Sequence, residues 1–175
     1  MPLHLVVDGY NLIRRSPSLS ILDRQDLEKG REELIRRLAS YKRARSLPIT
    51  VVFDGWDQGT LSGSSKMEKG IRVIFSPRGR KADQVIIQRA REMGEKAIVV
   101  TSDRGIRAEV ERCHATVIGS EEFEIKMEMA FHMDLEEAEP PFPHVPPEPR
   151  GTRKKGPSRR LPRHMRRLKR RTNRL

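Results

Sequence analysis

The stretch from Leu3 to Asn11, LHLVVDGYN, constrains the fold most, because it is an apolar run that stops abruptly at an aspartate. Its β-branched residues predict a buried strand of a parallel sheet, and Gly9 and Asn11 both tolerate turn conformations. Ligands of open parallel sheets bind outside the carboxyl ends of the strands. We therefore expect the Asp8 carboxylate at the mouth of a sheet.

The same pattern recurs along the chain. The apolar runs 49–53 and 97–100 are followed closely by Asp54 and Asp103, and a fourth strand, 71–75, precedes a predicted helix over 82–93 that carries Asp83 near its start. A helix over 105–112, a strand over 115–118 and a helix over 120–133 follow. Alternating strands and helices predict an α/β domain with a central parallel sheet and helices on both faces.

Two segments are expected to be loops. Residues 12–22 are predicted to link the first strand to a helix that Asp23 caps and that ends near Arg45. Residues 55–70 are rich in Gly, Ser, Gln and Lys, which predicts a long mobile loop of a kind that is often functional. Trp56 at its start could stack on a nucleic-acid base, although ordinary loop packing explains it equally well.

Charge divides the chain into a near-neutral body and a basic tail. Residues 150–175 contain thirteen Lys and Arg and no acid, against +12 for the whole chain, which leaves −1 for residues 1–149. Between them, residues 134–149 contain six prolines and five acids, which is typical of a stiff linker. We expect a globular domain over 1–133, an acidic Pro-rich linker over 134–149 and a basic tail over 150–175.

The tail has too few apolar residues to fold alone, so we expect it to be disordered or to become helical on a partner, since Leu161, Met165 and Leu168 lie at helical spacing. A run of cations without acids favours a polyanion such as RNA. An anionic membrane surface competes, but the tail lacks the bulky aromatic face of membrane-lying helices. The candidate RNA-binding residues are Trp56, Lys66, Lys69, Arg78, Arg80, Lys81, Arg153, Lys154, Lys155, Arg159, Arg160, Arg166, Arg167, Lys169, Arg170 and Arg171.

Other sequence signals are weak. Cys113 is the only cysteine, which excludes an intrachain disulfide, and its position beside His114 more often reflects packing than metal ligation. We expect it to be a half-buried structural residue. No N-terminal leader and no apolar run of the roughly 18 residues needed to span a membrane is evident. A soluble, cytoplasmic protein is the expectation.

Four aspartates at one edge of a sheet would repel one another unless a cation lay among them. Mg²⁺ and Mn²⁺ prefer carboxylate and water oxygens, and such ions commonly activate water in nucleases. The expectation is therefore that Asp8, Asp54, Asp83 and Asp103 form a metal cage, with Asn11 orienting a carboxylate, a water or a phosphate. Each aspartate taken alone could instead cap a helix or stabilise a turn.

Four segments together resemble the YacP-like NYN domains of bacteria, relatives of the PIN-domain nucleases: VVDGYNLI (6–13), VVFDG (51–55), KADQVI (81–86) and VTSDRGIR (100–107). The resemblance covers about residues 3–133. It implies a three-layer α/β/α PIN-like fold and a metal-dependent ribonuclease, with the acidic positions at Asp8, Asp83 and Asp103. Such domains often have the sequence Ala-Asp-Asp followed by an Ile-Glu pair. This chain has Asp83 and Gln84 and then Ile86 and Ile87, so at least one supporting acid is missing.

These observations predict a Mg²⁺- or Mn²⁺-dependent endoribonuclease that hydrolyses phosphodiester bonds of structured or ribosome-associated RNA. The predicted catalytic residues are Asp8, Asn11, Asp83 and Asp103. The missing second acid and the strong tail favour one alternative, a non-catalytic RNA- or ribosome-binding module with a degenerate site. A phosphatase of the haloacid-dehalogenase type shares the layout, but Val6 stands where its nucleophilic aspartate would be.

Overall fold

The apolar runs of the sequence form the strands of one sheet, and helices connect them. The computed structural model describes residues 2–55 and 63–138. The strands in this part are β1 (His4–Asp8), β2 (Ile49–Phe53), β3 (Ser64–Glu68), β4 (Ile71–Phe75), β5 (Ala97–Val100) and β6 (Thr116–Ile118). The helices are α1 (Gly9–Arg15), α2 (Pro17–Gln25), α3 (Leu27–Arg45), α4 (Ala82–Met93), α5 (Arg104–Arg112) and α6 (Ser120–Ala138), and a 3₁₀ turn over Gly94–Lys96 follows α4.

The strand order in the sheet is β3-β4-β2-β1-β5-β6, and every pair is parallel except the β3–β4 pair at the edge. The chain leaves β1 toward β2 on one side and later returns to β5 on the other side. β1 therefore lies at the point where strand order reverses, the position at which open α/β sheets bind ligands. Asp8 is the last residue of this strand and is level with Val52 of β2.

Two apolar layers cover the sheet, as the three-layer expectation requires. One face of the sheet, including Leu5, Val7 and Phe53, packs against α1, α2, α3 and α6. The opposite face, including Val6 and Val52, packs against α4 and α5. All five residues are fully buried, which explains why the parallel strands are continuous apolar runs rather than alternating ones.

The predicted loop over residues 12–22 is wrong, because two short helices occupy most of it. Asp8 and Ser16 cap these helices, and the Ser16 hydroxyl oxygen accepts a hydrogen bond from the Leu19 amide at 3.2 Å. Pro17 is at the first helical position, where its missing N–H costs nothing. The cap of α3 is Asp26, whose carboxylate accepts from the Glu28 amide at 2.8 Å, and not Asp23. Short helices with side-chain caps lack the long apolar periodicity that identifies a helix in a sequence.

The predicted loop over residues 55–70 is also partly wrong, because its second half forms β3. This strand pairs antiparallel with β4, and its side chains are mostly exposed, so it has no apolar pattern to reveal it. The last helix extends to Ala138, five residues past the predicted end of the domain. Cys113 is half-buried as predicted, with its thiol donating to the Glu109 carbonyl at 3.1 Å.

Some expectations concern residues outside the described ones. These are the first half of the 55–70 segment with Trp56, most of the linker and the whole tail. Within residues 2–55 and 63–138, no helix is long and apolar enough to cross a membrane.

Candidate active site

Asp8 is the most enclosed acid at the carboxyl edge of the sheet. Only 8% of its surface is exposed. One carboxylate oxygen, Oδ2, accepts a hydrogen bond from the Thr101 hydroxyl at 2.9 Å. The other, Oδ1, accepts a longer one from the backbone amide of Asn11 at 3.4 Å. Thr101 follows β5, the neighbour of β1, so the register of the two strands brings this hydroxyl to the carboxylate.

The pKa of Asp8 is raised from 3.8 to about 6, mainly because burial disfavours the charged carboxylate. The hydrogen bonds from Thr101 and Asn11 act in the opposite direction. The negative charges of Asp83 and Asp54 raise the pKa further, which places both carboxylates within electrostatic reach of Asp8. A perturbed acid beside two others in a strand-end crevice is a typical functional-site signature.

Asp54 joins the end of β2 to the start of α4. Its Oδ1 accepts hydrogen bonds from the Ala82 amide at 2.7 Å and, weakly, from the Ser76 hydroxyl at 3.5 Å. Gly55 has to be glycine here, because a Cβ at this position would overlap the Ser76 carbonyl oxygen. The Asp54–Gly55 pair therefore holds α4 against the sheet and positions Asp83, in the first turn of that helix, beside the site.

Asn11 connects three elements at this edge. Its side-chain oxygen Oδ1 accepts hydrogen bonds from the Ser102 backbone amide at 2.9 Å and the Ser120 hydroxyl at 2.7 Å. These bonds tie α1 to the loop after β5 and to the start of α6. Because both bonds go to the side-chain oxygen Oδ1, only the side-chain nitrogen Nδ2 of Asn11 is available for a direct catalytic role.

Asp103 has an exposed side chain that caps α5. Its Oδ1 accepts from the amides of Gly105 at 2.8 Å and Ile106 at 3.0 Å. Its own amide donates to the Thr101 hydroxyl oxygen at 3.2 Å, and that hydroxyl in turn donates to Asp8. Asp103 is thus linked to Asp8 through Thr101, while one of its carboxylate oxygens is committed to the helix cap.

The described residues do not enclose a metal ion as a closed cage. Within residues 2–55 and 63–138, no group of three or more His, Cys, Asp or Glu is arranged to hold one. Asp54 and Asp103 each turn one oxygen toward a helix N-terminus. The electrostatic coupling instead groups Asp8 with Asp83 and Asp54.

Three of the predicted RNA-binding cations lie next to this acidic group. The loop between β4 and α4 lines a cavity of about 280 Å³ that begins at Gly55. Arg80 donates to the Gln88 side chain at 2.6 Å, which steadies one side of the loop. The cavity is lined by Gly55, Ser76, Pro77, Arg78, Gly79, Arg80 and Lys81.

Lys66 and Lys69 lie on β3 and in the turn that follows it. Lys66 forms an exposed ion pair with Glu68 at 3.0 Å, and its ammonium group lies 6.0 Å from the centre of the Phe75 ring. Lys69 is in the left-handed backbone region, with a φ of 49°, which the tight turn into β4 requires. Both side chains are exposed at the sheet edge.

Sequence analysis missed the hydroxyl residues that organise this edge. Thr101 and Ser120 are both fully buried, and they hold Asp8 and Asn11 respectively. The Ser102 hydroxyl donates to Glu121 at 2.6 Å, and Glu121 also pairs with Arg15 at 3.2 Å. The available signal in the sequence is the Thr-Ser pair directly before Asp103.

Comparison with known proteins decides the family. Residues 5–142 match the model of the YacP-like NYN domain. The chain belongs to the YacP-like NYN domain family. The uncharacterized protein YacP of Bacillus subtilis (strain 168) is 33% identical to it over 104 residues, which are 57% of this chain and 59% of the relative. The chain therefore spans about three-fifths of the length of that relative.

Solved structures of a family member share the fold. The crystal structure of Rae1 (YacP) from Bacillus subtilis has a TM-score of 0.66 and 26% identity, covering 79% of this chain and 80% of that one. A mutant form of the same protein has a TM-score of 0.64 and 25% identity, covering 77% and 80%. The predicted family and α/β fold are confirmed, and the NYN domain, a PIN-like nuclease type, supports a nuclease or RNA-related role.

NYN and PIN-like nucleases typically depend on divalent metal ions, and the donors of this site fit such an ion. Mg²⁺ is usually bound through one or two carboxylates, with waters and substrate phosphates completing its shell, so a closed protein cage is not needed. Asp8 and Asp83 offer hard oxygen donors. The pKa of Asp8 is raised by burial and by the negative charges of Asp83 and Asp54. A cation bound beside Asp8 would stabilise its charged form and offset both effects.

Proposed function

We propose that this protein is a metal-dependent endoribonuclease that hydrolyses RNA phosphodiester bonds, and that structured or ribosome-associated RNA is its substrate. The observation that carries the proposal is the buried Asp8, whose pKa is raised beside Asp54 and Asp83 at the strand-order switch. Membership of a nuclease-type family supports the same conclusion.

The donors proposed for Mg²⁺ or Mn²⁺ are Asp8, Asp54, Asp83 and Asp103. Asp8 and Asp83 are proposed as the principal pair, because the charge of Asp83 raises the pKa of Asp8 more than that of Asp54 does. Asp54 and Asp103 each also use one oxygen to cap a helix. When bound, the ion supplies positive charge for the scissile phosphate and Lewis acidity for the attacking water.

The chain's own residues position these donors. The Thr101 hydroxyl holds one Asp8 oxygen, and the bonds of Asn11 fix the loop after β5 against α1. Arg78, Arg80 and Lys81 line the cavity beside Asp54, where guanidinium and ammonium groups suit the RNA backbone. Rigid support of this kind keeps reacting groups aligned.

The remaining predicted RNA contacts are proposed to raise the local concentration of substrate. The tail residues 150–175 carry +13 and no acid, so they would bind RNA through its phosphates without choosing a cut site. Their binding is expected to weaken steeply with salt.

Cleavage of ribosomal and messenger RNA by the purified protein, with Mn²⁺, with Mg²⁺ and with EDTA, tests the proposal. Asp8→Asn is the inactive comparison, and Glu32→Gln, which alters an exposed acid on α3, is the matched control. Metal-dependent products from the wild type and the control, absent from Asp8→Asn, are expected. Equal cleavage by Asp8→Asn would refute the metal mechanism.

A non-catalytic RNA- or ribosome-binding module is the second candidate. The observation that favours it is the residue after Asp83, Gln84, which is exposed and supplies no second carboxylate on α4. This alternative predicts no cleavage under any metal condition, and it predicts that replacing Arg166, Arg167, Lys169, Arg170 and Arg171 with Gln removes most of the RNA affinity. Metal-dependent cleavage would exclude it.

A further inference from the structure

Arg31 is a buried cation at the same edge of the sheet as the acidic group. α3 runs antiparallel to the strands that flank it in the chain, so its first turns lie at their carboxyl ends. Only 8% of Arg31 is exposed. Its Nη1 donates to the Tyr10 hydroxyl at 3.0 Å, and its guanidinium carbon lies 5.6 Å from the centre of the Phe75 ring.

No carboxylate in the described part of the chain forms an ion pair that compensates this charge. None of the acids in residues 2–55 and 63–138 pairs with Arg31, whereas Arg36 and Arg37, five and six residues further along α3, share Glu33. A buried charge without a partner is costly, and an aromatic face and a phenol hydroxyl offset only part of that cost. Arg31 is therefore the kind of group that gains most from an anionic ligand.

The guanidinium still has donors available to such a ligand. In the described part of the chain, the side-chain polar atoms that are both fully buried and without a hydrogen bond are Asp23 Oδ1, Tyr41 OH and Glu124 Oε1. Within residues 2–55 and 63–138, Arg31 Nε and Nη2 make no hydrogen bond and are not among these fully buried atoms, so each keeps some exposure to solvent. Two adjacent N–H groups in one plane match two oxygens of a phosphate.

The surroundings of Arg31 connect it to the acidic site. Tyr10, which holds the guanidinium, is two residues after Asp8, and its ring packs edge-on against Phe53 with centroids 5.1 Å apart. Phe53 precedes Asp54 and stacks on Phe75 at 5.7 Å. Two further cations border this aromatic cluster: the Arg14 guanidinium lies 5.7 Å from the Tyr10 ring, and Lys66 lies near Phe75.

We propose that Arg31 binds a phosphodiester of the substrate strand on the α3 side of the acidic edge, with Tyr10 as the residue that positions its guanidinium. The strand would then cross the carboxyl edge of the sheet from Arg31 to the basic loop at Arg78–Lys81, which begins beside Asp54. This inference deepens the proposed function and rests on it for the substrate class.

A site-specific test is the Nε–Hε signal of Arg31 in the full-length protein, followed by NMR. The Arg31 signal is assigned as the cross peak that is present in the wild-type spectrum and absent from the spectrum of Arg31→Gln. The probe is a four-nucleotide RNA added in EDTA, so that no cleavage occurs. A saturable shift of the Arg31 signal is expected, while the signal of Arg45, at the opposite end of α3, stays in place. An unmoved Arg31 signal, with tail arginine signals shifting, would overturn the proposal.

Kinetics separate binding from folding. We expect Arg31→Gln to raise the KM for RNA about tenfold with kcat changed less than about twofold, because one charge-assisted contact is lost. Arg31→Lys should recover part of this loss, since it restores charge but not the planar fork. Tyr10→Phe should raise KM about threefold. Arg45→Gln, which removes the same charge from the same helix, should leave KM unchanged.

The outcomes distinguish this inference from the proposed function. If the wild type cleaves no RNA but the Arg31 signal shifts, the phosphate site stands and the nuclease does not. If cleavage is metal-dependent but Arg31→Gln and Arg45→Gln have the same KM, the nuclease stands and the phosphate site fails.

Discussion

The ends of β1 and β5 have the same sequence signature and different physical states. Each strand is a buried apolar run followed by an aspartate. Asp8 is almost fully enclosed, and its pKa is raised to about 6 because the charge has lost water and faces Asp83 and Asp54. Asp103 is exposed, and two helix amides satisfy one of its oxygens. What an aspartate at a strand end does is therefore decided by what covers it.

The largest effect is expected from Asp8→Asn on cleavage. Removing the charge from the most enclosed donor should lower the rate on the order of 10³-fold, because the ion loses its principal ligand. RNA affinity in EDTA should remain, since the basic tail and loop are intact. Initial rates at saturating RNA and anisotropy in EDTA measure the two quantities. A rate reduced less than tenfold would place the chemistry elsewhere.

The same substitution should raise stability without metal. The folded pKa of Asp8, about 6, lies above its ordinary value of 3.8, so the charged carboxylate costs folding free energy above pH 6. That cost falls as the pH drops from 6 toward 3.8 and is lost below about pH 3, where the carboxyl is protonated in both the folded and the unfolded state. A shift of about two units sets an upper bound of roughly 3 kcal/mol, and we expect Asp8→Asn to gain roughly 1–2 kcal/mol at pH 8.

Urea unfolding in EDTA at pH 8 and at pH 4 measures this gain. The difference between the two proteins should be largest at pH 8 and mostly lost at pH 4. Adding Mg²⁺ at pH 8 should narrow it, because an ion that binds the native wild type stabilises that protein alone. A loss of stability at pH 8 would show that Asp8 is not held charged at a cost.

A smaller effect on cleavage is expected at Asp103. There, two substitutions distinguish the role of the side chain as a helix cap from its role as a charged metal ligand. Asp103→Ser keeps a capping oxygen and removes the charge, whereas Asp103→Ala removes both. We expect Asp103→Ala to lose about 1 kcal/mol of unfolding free energy and Asp103→Ser to retain most of it. Cleavage by Asp103→Ser should fall only about tenfold. A fall as large as that of Asp8→Asn would make the two strand ends equivalent as ligands.

Sequence alone predicted the parallel strands of the sheet well, because buried parallel strands are dense apolar runs with sharp ends. It failed at Pro17–Gln25, since a short capped helix has no long periodicity, and at Ser64–Glu68, since an exposed edge strand has no apolar face. It predicted the same catalytic and metal-binding roles for Asp8, Asp83 and Asp103. The difference between Asp8 and Asp103 depends on burial and on a hydroxyl from the neighbouring strand, neither of which is local in the sequence.

The smallest effect is expected from Thr101→Val, which removes the hydroxyl that separates the two environments. Valine has nearly the same shape, so the buried position should stay packed, but Asp8 loses the hydrogen bond that favours its charged form. We expect the pKa of Asp8 to rise by less than about one unit. The carboxyl ¹³C shift of Asp8, titrated in EDTA, measures this. In the cleavage assay, the pH at half-maximal rate should move upward by a similar amount.

Ser102→Ala is the matched control, because it removes a hydroxyl from the adjacent residue that makes no contact with Asp8. An unchanged titration of Asp8 in Thr101→Val would mean that burial alone sets its pKa.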